Sequence, residues 1–288
     1  MKNTNLLVLF VLGMIVMSSC KKDTYRTSHP DFGKIEFIAD WSNIEEGLST
    51  PKKYTLYVDD RQASTIPTSE KVFPILIKPG IHSILVYSNS EKVIVEPDLS
   101  LAKAQVVQGF INGNLGWLFT MSDIVQIERD IVHEVRGEME QQLRKLVLIL
   151  NIKKDVSVSD VNVVDESAVL TGVAAEWNYE SEVALSEAKV RPEFKVYNKN
   201  EFRASMELLG VVPESINRQI LSFGLIYNDK RGEKKEVKID IDLTGFMKSF
   251  NENRNIPLIL KCNVLGINGE IAKWEMVEED SQIVLWPD

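Results

Sequence analysis

The residues able to do chemistry are few and scattered. The 288-residue chain has three histidines, His29, His82 and His133. A zinc site needs His, Cys or carboxylate ligands at short, recurring spacings, and none of the three has such a partner nearby in sequence. A serine nucleophile on a strained elbow would show as G-x-S-x-G, which is absent. The stretch GFINGNLG (109–116) has three glycines, but at the wrong spacing for a phosphate loop and without a following helix. The calcium-loop pattern is also absent. Acidic neighbours do occur: Glu45-Glu46, Asp59-Asp60 and Glu278-Glu279-Asp280. With 42 acidic residues in the chain, such runs read as solvated turns. A glycosidase pair would have to converge in space. No catalytic residue, metal or cofactor is therefore expected. A convergent pocket holding two of His82, His133 and nearby acids would revive a hydrolase.

Cys20 is different. Lys2 is the only charge before Lys21, and Leu6–Met17 is an apolar run of 12 residues. That is short of the roughly 20 residues needed to span a bilayer, but it fits the core of a signal peptide. Val16-Met17-Ser18-Ser19-Cys20 then resembles the lipobox of bacterial lipoproteins, with Met17 where leucine is commonest. The resemblance implies a lipid on the Cys20 thiol and cleavage just before it. Alternatives are a buried N-terminal helix with a chance cysteine, or an ordinary secretory signal. If Cys20 is lipidated, Cys262, the only other cysteine, stays a free thiol in an apolar stretch. Several acyl chains hold a protein stably to a membrane.

Composition narrows the partners. The formal charge is −9, which argues against a nucleic-acid or anionic-membrane surface. Apolar residues make up 44% and charged residues 26%, ordinary for a chain that buries a core. Residues 20–32 are polar and read as a tether containing His29.

The elements that would position any site are strands. Ile35, Phe37 and Ala39 alternate in GKIEFIADWSN, and Tyr54, Leu56 and Val58 in KKYTLYVDD. VFPILIKPG reads as a short strand, with Pro74 placing it at an edge. IHSILVYSNS and EKVIVEPD follow, and Leu99–Val107 holds at most a turn of helix. Residues 124–135 and 143–152 read as two strands, with a boundary near Gly137. Seven later segments between Glu166 and Pro287 repeat the pattern. VKIDIDL is the cleanest, with Val237, Ile239 and Ile241 inward. NDKRGEKK reads as a hairpin turn around Gly232, and LTGFMKSFNEN as a short helix. A dozen strands with turns every 8–12 residues predict an all-β chain of two sandwiches.

The order and style of these segments resemble the fimbrial anchor and accessory lipoproteins of Bacteroidales, the type V pilus family. The marks are the lipobox ending at Cys20, GKIEFIADWSN with Asp40-Trp41, KKYTLYVDD, EMEQQLRKLVLILNI, AVLTGVAAEWNY and SFGLIYNDKRGEKKEVKIDIDLT. The resemblance covers nearly the whole mature chain. It implies a signal peptide (1–19), a tether (20–32), and two transthyretin-like, Greek-key β-sandwich domains at 33–136 and 137–288. It also implies a non-enzymatic subunit of a pilus. The lipid on Cys20 would hold it to the membrane, outermost and facing the cell surface, and fimbrial subunits would join it by strand addition. The C-terminal Ile283, Val284, Leu285 and Trp286 would be the segment meeting a partner, or else a closing strand of its own domain. A second function class is a surface lipoprotein that binds glycans through exposed aromatics. Its candidates are Trp41, Trp117, Trp177, Trp274 and Trp286.

Overall fold

The computed structural model describes residues 32–277, except 60, 61, 89, 154–158, 165, 199, 214–217, 230 and 266–269. The described residues form twenty strands. The first ten are β1 (Lys34–Asp40), β2 (Lys53–Val58), β3 (Gln62–Pro67), β4 (Gly80–Ser88), β5 (Val93–Glu96), β6 (Leu101–Ala104), β7 (Phe110–Ile111), β8 (Phe119–Ile127), β9 (Val132–Glu138) and β10 (Glu140–Gln141). The rest are β11 (Arg144–Lys153), β12 (Ser159–Val163), β13 (Val169–Asn178), β14 (Val183–Val190), β15 (Lys195–Asn198), β16 (Glu201–Leu208), β17 (Ile220–Asn228), β18 (Lys234–Asp242), β19 (Leu258–Leu265) and β20 (Glu270–Val277). Among the described residues the one helical element is a 3-10 turn at Pro97–Leu99. The chain is all-β, as its alternation predicts.

The strands pack around two main cores, with a small third cluster of Val147, Ile149 and Ile259 on β11 and β19. In the first, the parallel pair β1–β9 faces a five-stranded sheet ordered β10-β8-β4-β2-β3. Ile35 and Phe37 from β1, Val135 from β9, and Tyr54, Leu56, Val86 and Phe119 from the sheet share this core. Phe37 meets Tyr54 edge-on, with ring centroids 5.6 Å apart, a geometry that aromatic quadrupoles favour. In the second, the sheet β15-β16-β11-β19-β20 faces an eight-stranded sheet running through β12-β17-β13-β14-β7, to which β18, β6 and β5 are attached. Leu148 and Leu150 of β11, Leu260 and Cys262 of β19, and Trp177 and Phe223 from the facing sheet are buried together.

Several expectations hold in detail. Tyr54, Leu56 and Val58 all point into the first core. In β18, Ile239 and Ile241 are buried and Val237 packs against the second core. The β17–β18 hairpin closes where expected, with Gly232 at φ +77° donating its N–H to the Asp229 carbonyl at 2.9 Å. Glycine adopts this left-handed conformation without steric cost.

Four expectations change. Residues 124–135 are not one strand. β8 ends at Ile127, the chain turns through Asp130 at φ +56°, and β9 pairs with β1 instead. The segment 71–77 forms no strand of its own, because Pro74 interrupts its ladder. It touches β1 through two isolated bridges, Gly33 to Ile77 and Glu36 to Val72. LTGFMKSFNEN is a run of turns in which Leu243, Met247 and Phe250 all face the core. The turn of helix falls at Pro97–Leu99, where a proline opens it, and Leu101–Ala104 is extended.

The fifth difference concerns organisation. β5, β6 and β7 precede the expected boundary at 136/137, yet they belong to the second sheet system. β6 pairs with β13 (Lys103 opposite Glu176), and β7 runs parallel to β14. The β5–β6 ribbon also lies against the first unit. Tyr57 and Tyr87, on the outer face of the first five-stranded sheet, pack on the second core, and the Tyr57 hydroxyl donates to Asp98. After this first excursion (Val93 to Leu118) the chain returns to the first core at Phe119, leaves it for the last time after Met139 and re-enters the second at Leu143.

Candidate functional site: the junction and the strand edges

The histidines do not converge on a site. His82 binds the Asp59 carboxylate through Nδ1 (2.5 Å) and the Lys78 carbonyl through Nε2 (2.7 Å). This ties the end of β2 to the start of β4. His133 Nε2 accepts the Glu128 N–H at 2.7 Å and closes the β8–β9 turn. Both imidazoles are used locally. Among the described residues no three His, Cys, Asp or Glu side chains gather as a metal would require.

The carboxylates divide in the same way. Glu46 and Asp59 are exposed, while Glu45 is buried at the junction and binds Lys145 at 2.9 Å. The Lys145 ammonium also lies 5.7 Å from the centre of the Trp117 ring. Glu278-Glu279-Asp280, Cys20, His29 and the segment Ile283, Val284, Leu285, Trp286 lie outside the described residues.

The tryptophans do not build a sugar platform among the described side chains. Trp177 is buried and donates its indole N–H to Gln142 Oε1 at 2.9 Å. Trp41 packs edge-on against Phe119, 5.3 Å away, and Trp117 packs against both cores. Trp274 stands opposite Cys262 in the β19–β20 ladder, and Trp286 is outside the described residues.

The densest polar structure is the junction between the units, and sequence reasoning missed it. Gln141, Gln142, Arg144 and Arg254 look like ordinary surface residues in sequence. All but Arg254 stand among the buried polar residues. Arg144 donates to the carbonyls of Ser249, Phe250, Glu252 and Ile256 at 2.6–3.1 Å, which fixes the 243–256 turns. Arg254 donates to the carbonyls of Gln142 and Leu209 and stacks 3.4 Å above the Trp177 ring. Gln142 reaches back to Thr120 Oγ1 of the first sheet at 2.7 Å. Gln141 binds the Arg254 carbonyl and accepts the Glu45 N–H. Burial lowers the pKa of Arg144, and that of Arg254 falls to about 9. Guanidiniums suit such a place because their forked donors can satisfy several carbonyls at once. The only signal available beforehand was the density of polar residues between two apolar runs.

The remaining surface feature is a set of sheet edges. β9 is one border of the parallel pair, with Ile131 and Val132 exposed at its start. β15 borders the second five-stranded sheet, and all four of its residues are exposed, including Val196 and Tyr197. Arg203 stacks 3.4 Å from the Tyr197 ring. Such borders present main-chain groups able to accept another strand. No described helix is long and apolar enough to cross a membrane.

No protein-family model matches the sequence, and a search of curated proteins finds no match. Solved structures do match. A candidate adhesin from Bacteroides ovatus aligns over 86% of this chain and 92% of its own, at 12% identity and a TM-score of 0.57. The fimbrial anchor protein Mfa2 from Porphyromonas gingivalis aligns over 85% and 95%, at 13% identity and 0.52. A candidate polysaccharide-binding protein from Bacteroides thetaiotaomicron aligns over 88% and 100%, at 10% identity and 0.54. The chain has the fold of these adhesin and fimbrial-anchor structures along nearly its whole described length.

Proposed function

We propose that the protein is a non-enzymatic, lipid-anchored subunit of a fimbrial adhesion system. The observation that carries this reading is the fold likeness to a fimbrial anchor, aligned over most of both chains. The lipobox-like Val16–Cys20 supplies the attachment point, and residues 20–32 the tether. The lipid would hold the protein in the outer membrane, facing the cell surface. Partner subunits would join by adding an extended strand to an open edge such as β9 or β15, or would receive Ile283–Trp286. His82 and His133, each spent on a local contact, agree with a binding role.

The test is direct. Radiolabelled palmitate should enter the wild-type protein and not Cys20→Ala. Cells carrying Cys20→Ala should shed fimbriae, and affinity capture of the wild type should recover a fimbrial subunit. Unchanged fimbriae together with an empty capture would reject the reading. Glycan binding is the second reading, favoured by the fold shared with a candidate polysaccharide-binding protein. Recovery of a polysaccharide in place of a subunit would support it.

A further inference from the structure

The first unit is wired so that a pull along the chain must shear a parallel strand pair. β1 is the first described strand after the tether, and β9 is the last strand to put a side chain into the first core; only the two-residue β10, paired with β8, follows before the chain returns to the second core. They pair in parallel over seven positions, from Lys34 opposite Val132 to Asp40 opposite Glu138. The chain enters at the Lys34 end and leaves at the Glu138 end. In a parallel pair those ends are opposite. The span is about 23 Å at roughly 3.3 Å per residue.

We propose that the β1–β9 pair is a load-bearing clamp, which lets the protein hold tension between its N-terminal attachment and its partners. Tension along this path acts parallel to both strands. Every rung of the ladder is then loaded together, and none can fail alone. Had the two strands been antiparallel, entry and exit would lie at one end, and the rungs would open one by one.

Three features reinforce the pair. The second border of β1 is fastened by main-chain bonds to 71–77: Gly33 and Ile77 exchange N–H and carbonyl at 2.8 and 2.9 Å, Phe37 donates to Lys71, and Phe73 donates to Ile35. Both ends of the pair carry an extra bond, Lys34 N–H to the Ile131 carbonyl and Met139 N–H to the Asp40 carbonyl, each 2.9 Å. Ile35 and Phe37 are wholly buried beneath the ladder, so sliding β1 drags both through a packed core. Beyond Glu138 the load enters the polar junction of Gln141, Gln142 and Arg144 rather than a loose linker.

This inference rests on the anchoring reading for its biological use, but its physics can be tested apart from it. Single-molecule pulling on the full mature chain, with Cys20 replaced by serine, compares two handle pairs. One pair joins the N-terminus to Glu138→Cys. The other joins Ser42→Cys to Glu138→Cys, so that force enters at the end where it leaves. Ser42 and Glu138 are exposed. Burial raises the pKa of the Cys262 thiol to about 12, which keeps it out of the coupling chemistry. At equal loading rate the first axis should rupture at a force about twofold higher or more, because seven rungs share the load and resistance is set by the unfolding rate. Equal forces on the two axes would overturn the clamp. Loss of the palmitate label on wild-type protein would reject the anchoring reading and leave this comparison standing.

Discussion

Apart from the two-residue β7–β14 contact, the described strands form two parallel pairs, and they are embedded differently. β1–β9 forms a sheet of only two strands, helped by the bridges from 71–77. β11–β19 makes the same kind of ladder, Leu146 opposite Leu258 through Lys153 opposite Leu265, but at the centre of a five-stranded sheet. Parallel pairs usually lie inside larger sheets, where both faces are covered. The second pair follows that habit and the first departs from it. The first pair depends on one core face and its end bonds. The second is held by β16 and β20 on its flanks and by a buried guanidinium at its entry. Position in the sheet, more than the ladder itself, decides how each pair can open.

The strongest test of this contrast removes the guanidinium. Arg144→Ala leaves the carbonyls of 249–256 without donors, and urea unfolding should show a loss of about 3–5 kcal/mol. Among the described residues no buried cation plays such a part in the first core, so the loss should fall on the second pair. Hydrogen exchange should then rank the pairs in the intact protein. Amides of β1 and β9 should exchange at least about tenfold faster than those of β11 and β19, about 1.4 kcal/mol, because smaller sheets open sub-globally. Equal protection would remove the contrast.

Alkaline unfolding gives a third, comparable effect. Burial in β19 raises the pKa of the Cys262 thiol from 9.0 to about 12. The folded state thus keeps a proton that the unfolded state gives up, and stability is complete below pH 9 and falls as pH rises toward 12. By pH 10 the loss is about 1.4 kcal/mol. The melting temperature of wild type should drop more steeply between pH 8 and 10 than that of Cys262→Ala. The smallest effect lies at the border. Arg203→Ala loses the contact with Tyr197 and the 2.6 Å bond to Glu201, and should shift stability by less than about 1 kcal/mol.

Much of the fold was legible because a strand with one buried face must alternate. Ile35 and Phe37, Tyr54 to Val58, and Val237 to Ile241 all read correctly on that ground. Elsewhere the pattern failed for identifiable reasons. β8 and β9 merged into one expected strand because the turn between them, Glu128–Ile131, contains neither glycine nor proline. β14, with the sequence VALSEAKV, escaped notice because alanine, glutamate and lysine are poor strand formers. Its place comes from pairing with β13, and tertiary context overrides such weak preferences. The junction was illegible for another reason. Gln142 touches Thr120 on one side and Trp177 on the other, and no local pattern encodes a meeting of residues so far apart. The bulge in β13 belongs here too: Gly172, at φ +71°, lies where a Cβ would come within 2.5 Å of the Arg218 carbonyl oxygen.

The β5–β6 ribbon has a consequence for how the chain is made. Synthesis runs from the N-terminus, so Lys103 emerges well before Glu176, its partner across the ladder. Until β13 follows, the border of β6 has nothing to hold, and Ala102 and Ala104 have no second core to enter. The early half of the molecule is therefore born unfinished. Its assembly is completed only by later-arriving sequence, and a chain stopped between the two would carry an open, adhesive strand.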